Sequence, residues 1–137
     1  MRAKLLFLLP ALAYTLAITY LSLINLADTP VSEMGVSDKL LHGGAYFGMA
    51  LLWLLFVVFT YNNENFIKIV VYVCLFTTGF GIFIEVLQKE LTDYRQLDIY
   101  DIFANSVGAI LAGLAVYLLK NNLIGLKAKI NSFLIKN

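Results

Sequence analysis

Long apolar runs alternate with short polar stretches along the chain, and the runs are too long for a soluble core. Leu5 to Leu26 carries no ionisable residue over its whole length. At helical rise that stretch covers about 33 Å, enough to cross a bilayer. Pro10 falls in its first third, a position that lipid-embedded helices tolerate better than soluble ones. The polar stretch from Ala27 to Ser37, with Asp28, Pro30 and Glu33, separates it from a second run at about 40–60. Tyr61-Asn62-Asn63-Glu64-Asn65 reads as a turn, and a third run covers about 66–88. A second polar loop, Lys89 to Leu97, leads into a fourth run at about 98–119. In the tail, 120–137, Leu123, Leu126, Ile130, Phe133 and Leu134 recur at helical spacing among lysines. That pattern predicts an amphipathic helix lying on the membrane surface, against anionic headgroups. The fold expected is therefore an all-α membrane protein: a four-transmembrane-helix bundle with a short amphipathic C-terminal helix.

Composition agrees. Of 137 residues, 61% are hydrophobic and only 14% charged, against about a quarter charged in an ordinary soluble domain. Disorder, a disulfide scaffold and a typical cytosolic enzyme are excluded, and the length allows one domain. A net charge of +1 gives no basic excess for nucleic acid. The single cysteine, Cys74, has no partner for a bridge and no metal-ligand spacing around it. Arg2 and Lys4 precede the first run as in a signal peptide, but the run is too long and no cleavage motif follows. An uncleaved anchor is expected.

Orientation follows from lysine and arginine. Four spans put both termini and the 61–65 turn on one side, with Arg2, Lys4, Lys68, Lys120, Lys127, Lys129 and Lys136. The other side holds Lys39, Lys89 and Arg95. Seven against three predicts cytoplasmic termini and outward-facing loops at 27–37 and 89–97.

The polar residues inside the spans converge. Asp38, Lys39 and His42 open the second span, and Asp38 and His42 share a helical face. Glu85 and Gln88 close the third, one turn after Gly81. Asp98, Asp101, Asn105, Gly108 and Ala112 form one stripe on the fourth. All three groups fall at the outward ends of their helices, with Arg95 in the loop between two of them. Small residues support close approach of the helices: Gly44-x-x-x-Gly48, Gly79 and Gly81, and Gly108-x-x-x-Ala112. Acids outnumber bases in the cluster, so it suits a divalent cation held by oxygen ligands, an ammonium-bearing ligand, or a shared proton, rather than a bare phosphate. Single members have plainer roles open to them. Asp98 and Asp101 suit a helix N-terminus, Lys39 suits snorkelling to headgroups, and Arg95 suits a clamp on Glu85 or Asp98. Capping does not account for His42, Glu85, Gln88 and Asn105 together. An ionisable group at membrane depth marks function by default.

Three ordered blocks carry a resemblance. Asp38-Lys39-x-x-His42 with Tyr46, then Gly81-x-x-x-Glu85-x-x-Gln88, then Arg95-x-x-Asp98-x-x-Asp101-x-x-x-Asn105-x-x-Gly108 resemble the VanZ-like family of bacterial membrane proteins, over about residues 38–113. The resemblance implies a single VanZ-like membrane domain, 1–137, in a bacterial cytoplasmic membrane. The family's name-giving member is an accessory protein of a glycopeptide-resistance cluster, associated with resistance to teicoplanin. What the resemblance and the cluster lead us to expect is a polar site, with membrane lipids and a wall precursor or lipoglycopeptide as partners and no required cofactor beyond an optional divalent cation. Metal-assisted chemistry on a lipid-linked phosphate is the alternative. A proton- or ion-coupled carrier fits less well, since four spans are few and no broken helix or inverted repeat is visible.

Overall fold

The computed structural model describes residues 2–24, 37–61, 65–92 and 96–136. They form five helices: α1 (Arg2–Leu23), α2 (Asp38–Thr60), α3 (Phe66–Leu91), α4 (Ile99–Leu118) and α5 (Lys120–Lys136). Four of them, α1 to α4, are long and apolar enough to cross a membrane, so the chain is a multi-pass membrane protein with a short C-terminal helix.

Boundaries moved modestly. The second helix starts at Asp38, ahead of the expected span. α3 runs to Leu91, so Lys89, Glu90 and Leu91, expected in a loop, are helical. Lysine, glutamate and leucine are good helix formers, and the helix stops only where Thr92 turns extended. Of the expected loop at 27–37, only Ser37 lies within the described residues.

The helices alternate in direction, with α2 touching each of the other four. Near the chain termini, Leu54, Val58 and Phe59 of α2 bury against Phe66, Val70 and Val73 of α3 and Val116 of α4. Phe7 of α1 stacks on Phe59 with ring centroids 4.4 Å apart. Midway, Trp53 Nε1 donates to Thr15 Oγ1 at 3.0 Å and fastens α1 to α2.

The closest crossing is between α2 and α4. A Cβ on Gly108 would stand 2.1 Å from the carbonyl oxygen of Gly43, so only glycine lets the two backbones meet there. The second-span partner is thus Gly43, not the Gly44-x-x-x-Gly48 pair expected to form the packing face. Gly44 faces open space, and Gly48 receives the ring of Tyr14 instead. Gly79 is likewise open, whereas Gly81 packs against Tyr46 and Asn105. Helical phase decides this: Gly43, Phe47 and Ala50 share the stripe facing α4, and Gly44 is rotated away from it.

The tail helix is more closely attached to the bundle than a purely surface-lying one. Leu123 and Ile130 pack on the apolar cluster, Lys127 Nζ donates to the Tyr61 carbonyl, and Leu126 stays half-exposed. The Phe133 and Leu134 side chains lie outside the described residues.

Candidate functional site

At the end of the bundle away from the termini, α2 begins, α3 ends and α4 begins. Each helix contributes ionisable groups because the polar residues cluster at that end of its sequence. On α4, Asp98 caps the helix, accepting from the Tyr100 backbone N–H at 2.8 Å, which satisfies an otherwise orphaned donor. Asp101 sits in the first turn, where the helix dipole favours a carboxylate.

Lys39 reaches across from α2 and binds both. Its ammonium donates to Asp98 Oδ2 and to Asp101 Oδ1, and it lies 3.8 Å from Asp38 Oδ2. Of the two roles the sequence left open to Lys39, the contacts support the one within the cluster: its ammonium turns toward three carboxylates. Lys39 beside it, helped by the Tyr100 N–H, holds the Asp98 carboxyl below the usual carboxylate range.

His42 stands one turn deeper, among four partners. Its Nδ1 is 3.2 Å from Asn105 Oδ1 and 3.8 Å from Glu85 Oε1. Its Nε2 faces Asp101 Oδ2 at 3.7 Å and Asp38 Oδ1 at 3.9 Å. The Asp98 backbone N–H reaches Glu85 Oε2 at 3.5 Å, so α3 and the start of α4 are joined through that carboxylate. Glu85 and Asp101 thus share one imidazole instead of serving separate caps. The cluster grades from open to closed. Asp38 is 55% exposed at the mouth, His42 11%, and Glu85 2% at the base. Tyr46, one turn beyond His42, and Asn105 form the inner wall, both against Gly81.

Gln88 is buried but does other work. Its Nε2 donates to the Ser22 carbonyl at 2.8 Å, tying the end of α1 to α3 beside the cluster. Arg95 lies outside the described residues, and among those described Lys39 supplies the ammonium that meets the acids. Sequence reading gave Tyr46 no role of its own, although the spacing Asp38, His42, Tyr46 repeats every four residues and marks one face. The Ser22 carbonyl carried no signal, because a backbone acceptor has no side-chain signature.

The arrangement can present carboxylate oxygens and an imidazole nitrogen to a cation or an ammonium group. It can also pass a proton between His42 and its neighbouring acids. Asp38, His42 and Asp101 have ligand atoms that all lie within 4.8 Å of one another. Compared with protein-family models, curated proteins and solved structures, the chain matches none.

Proposed function

We propose that the chain is a VanZ-like protein of a bacterial cytoplasmic membrane whose polar site binds, or modulates access to, a cell-envelope lipid, a wall precursor or a lipoglycopeptide. The observation that carries this reading is the convergence of Lys39, His42, Glu85, Asp98 and Asp101 from three helices. Leu40, Ile99 and Tyr100, all exposed, surround the same end. A lipid-like ligand would lay its alkyl part along those side chains and its headgroup in the cluster. The acid surplus favours an amine-bearing headgroup or amino sugar over a bare phosphate. The lysine and arginine bias supports cytoplasmic termini and an outward-facing site.

The test uses the protein reconstituted in vesicles, with teicoplanin, vancomycin and phosphatidylethanolamine as probes. Retention of teicoplanin or the amine lipid is expected, falling at least about tenfold in Asp101→Asn. Equal retention of every probe by both proteins would reject the reading. For orientation, Glu90→Cys in a Cys74→Ser background should be labelled from outside the cell. Labelling from the cytoplasm alone would put the site on the wrong face.

A second reading, metal-assisted chemistry on a lipid-linked phosphate, draws on His42 lying among three carboxylates. Turnover of such a substrate that disappears in His42→Gln would favour it.

A further inference from the structure

We propose that the cavity between α5 and the bundle is a site for one anionic phospholipid, its phosphate at Lys120 and Lys127 and its glycerol and first acyl carbons against Val58, Phe66 and Ile124. The site lies at the opposite end of the bundle from the polar cluster and does not rest on the function proposed above.

The tail helix makes the cavity by docking with only part of its surface. Leu123 and Ile130 pack on the apolar cluster. The neighbouring face carries Ile124, Lys127, Ala128 and Asn131, spaced three, one and three apart, which is one side of a helix. An alanine, a lysine and an asparagine stand there where a closely docked helix would present large apolar side chains. A cavity of about 300 Å³ remains between that face and Val58, Tyr61 and Phe66, at the small end of the range for ligand pockets. Val58 lies in the last turn of α2 and Phe66 opens α3, so the cavity stands at the depth where hydrocarbon gives way to headgroups.

Its wall is apolar on one side and cationic on the other. Lys127 Nζ donates to the Tyr61 carbonyl. Lys120 Nζ lies 5.4 Å from the centroid of the Phe66 ring, and Lys4 Nζ of α1 lies 5.6 Å from that of Tyr61. Both rings line the cavity. A ring face or a carbonyl attracts an ammonium but leaves its charge in place. Among the described residues, every ion pair belongs to Lys39 or His42 at the other end, so these three ammonium groups meet no carboxylate. Burial pushes the Lys127 ammonium below the usual lysine range, as expected of a cation partly withdrawn from water without a counter-charge.

That combination selects the occupant. Inorganic phosphate would answer the ammonium groups and leave Val58, Phe66 and Ile124 wet. A zwitterionic lipid would cover those side chains but bring its own cation beside its phosphate. A lipid with a net negative headgroup meets both needs, and basic pockets between membrane helices recognise such headgroups. This differs from the general attraction of a lysine-bearing tail for an anionic surface, because it saturates at one lipid and depends on particular lysines.

The test uses the full chain, delipidated in detergent, with phosphatidylglycerol or phosphatidylcholine added and inorganic phosphate as competitor, read by native mass spectrometry. One phosphatidylglycerol should bind saturably, with phosphatidylcholine much weaker and no displacement by equimolar inorganic phosphate. Lys120→Gln and Lys127→Gln should each weaken binding about fivefold. Lys129→Gln, an exposed lysine of the same helix outside the cavity wall, should have much less effect. Ala128→Phe, which fills the cavity without changing charge, should abolish the bound lipid in a protein that stays monodisperse. If Lys127→Gln or Ala128→Phe releases α5, Lys120→Gln against Lys129→Gln decides, since the Lys120 ammonium only rests on a ring. Equal losses in those two variants would mean surface attraction alone. Equal binding of both lipids would mean an apolar groove, and displacement by phosphate a simple anion site. Each of these three results overturns the proposal.

Discussion

At the end of the bundle near the termini, α2, α3 and α4 meet through Leu54, Val58, Phe66, Val70 and Val116. At the other end the same helices meet through Lys39, His42, Glu85, Asp98 and Asp101. In lipid the first kind of contact gains little from the hydrophobic effect, because acyl chains are as apolar as leucine, and it depends on shape and close approach. The second depends on pairing, because a lone charge at depth costs a few kcal/mol. Apolar contacts tolerate small changes and specify position loosely. Paired charges tolerate few changes and fix which helix ends lie together.

The comparison can be broken most severely where it is bridged, at the α2–α4 crossing. Gly108→Ala forces a methyl group into the Gly43 carbonyl, and overpacking of backbone against backbone should cost about 3 kcal/mol or more. Loss of the monodisperse folded peak in detergent is expected, with both ends affected together. A folded, ligand-competent Gly108→Ala would show that the close crossing does not hold the cluster in place.

Leu54→Ala tests the apolar end alone. Leu54 is fully buried, so about 2 kcal/mol is expected, the low end for such a change, because lipid rather than water is the alternative environment. Its thermal midpoint should fall while retention of the vesicle probes is unchanged. Lys39→Met does the converse. Its side chain is 40% exposed, so solvent screening limits the loss to about 1 kcal/mol, with retention of the vesicle probes altered much more than stability.

The smallest effects concern titration and an open glycine. Asp98 has a lowered pKa through Lys39. Its contribution to stability is fully present above the unfolded value of about 3.9 and is lost as pH falls through the lower folded value. The difference in unfolding midpoint between wild type and Asp98→Asn should therefore shrink below about pH 4. Gly44→Ala, which meets nothing within 4 Å, should leave stability unchanged or raise it by up to about 1 kcal/mol through helix propensity, read as an equal or higher midpoint. A loss there would restore the original Gly44-x-x-x-Gly48 face.

Much of this was legible in the sequence because lipid imposes long uninterrupted apolar runs, and their number gave the four spans directly. The meeting of His42, Glu85 and Asp101 was legible too. Alternating helices place residues at matching ends, and isolated charges at depth need company. Less legible was rotation. Gly43 and Gly44 are neighbours in sequence, and only the packed helix shows that the first faces α4. Lys39 was ambiguous for a related reason, since a long flexible side chain near a helix end reaches headgroups or carboxylates equally well. Gln88 looked like part of the cluster from its spacing, yet it binds a backbone carbonyl of α1.

The order of the charges along the chain bears on how the protein is made. Lys39 and His42 are both on α2, whereas Glu85, Asp98 and Asp101 belong to α3 and the start of α4. A ribosome synthesises the bases first. When α3 leaves the insertion machinery, the imidazole that Glu85 approaches is already in the membrane, and when α4 follows, Lys39 awaits Asp98 and Asp101. Glu85 and Asp101, the two buried acids, thus enter the bilayer after their partners, so neither has to cross into lipid and wait there for a base still on the ribosome. Reversing the order, by moving the base to α4 and an acid to α2, would leave a carboxylate waiting in the bilayer through the synthesis of two further helices.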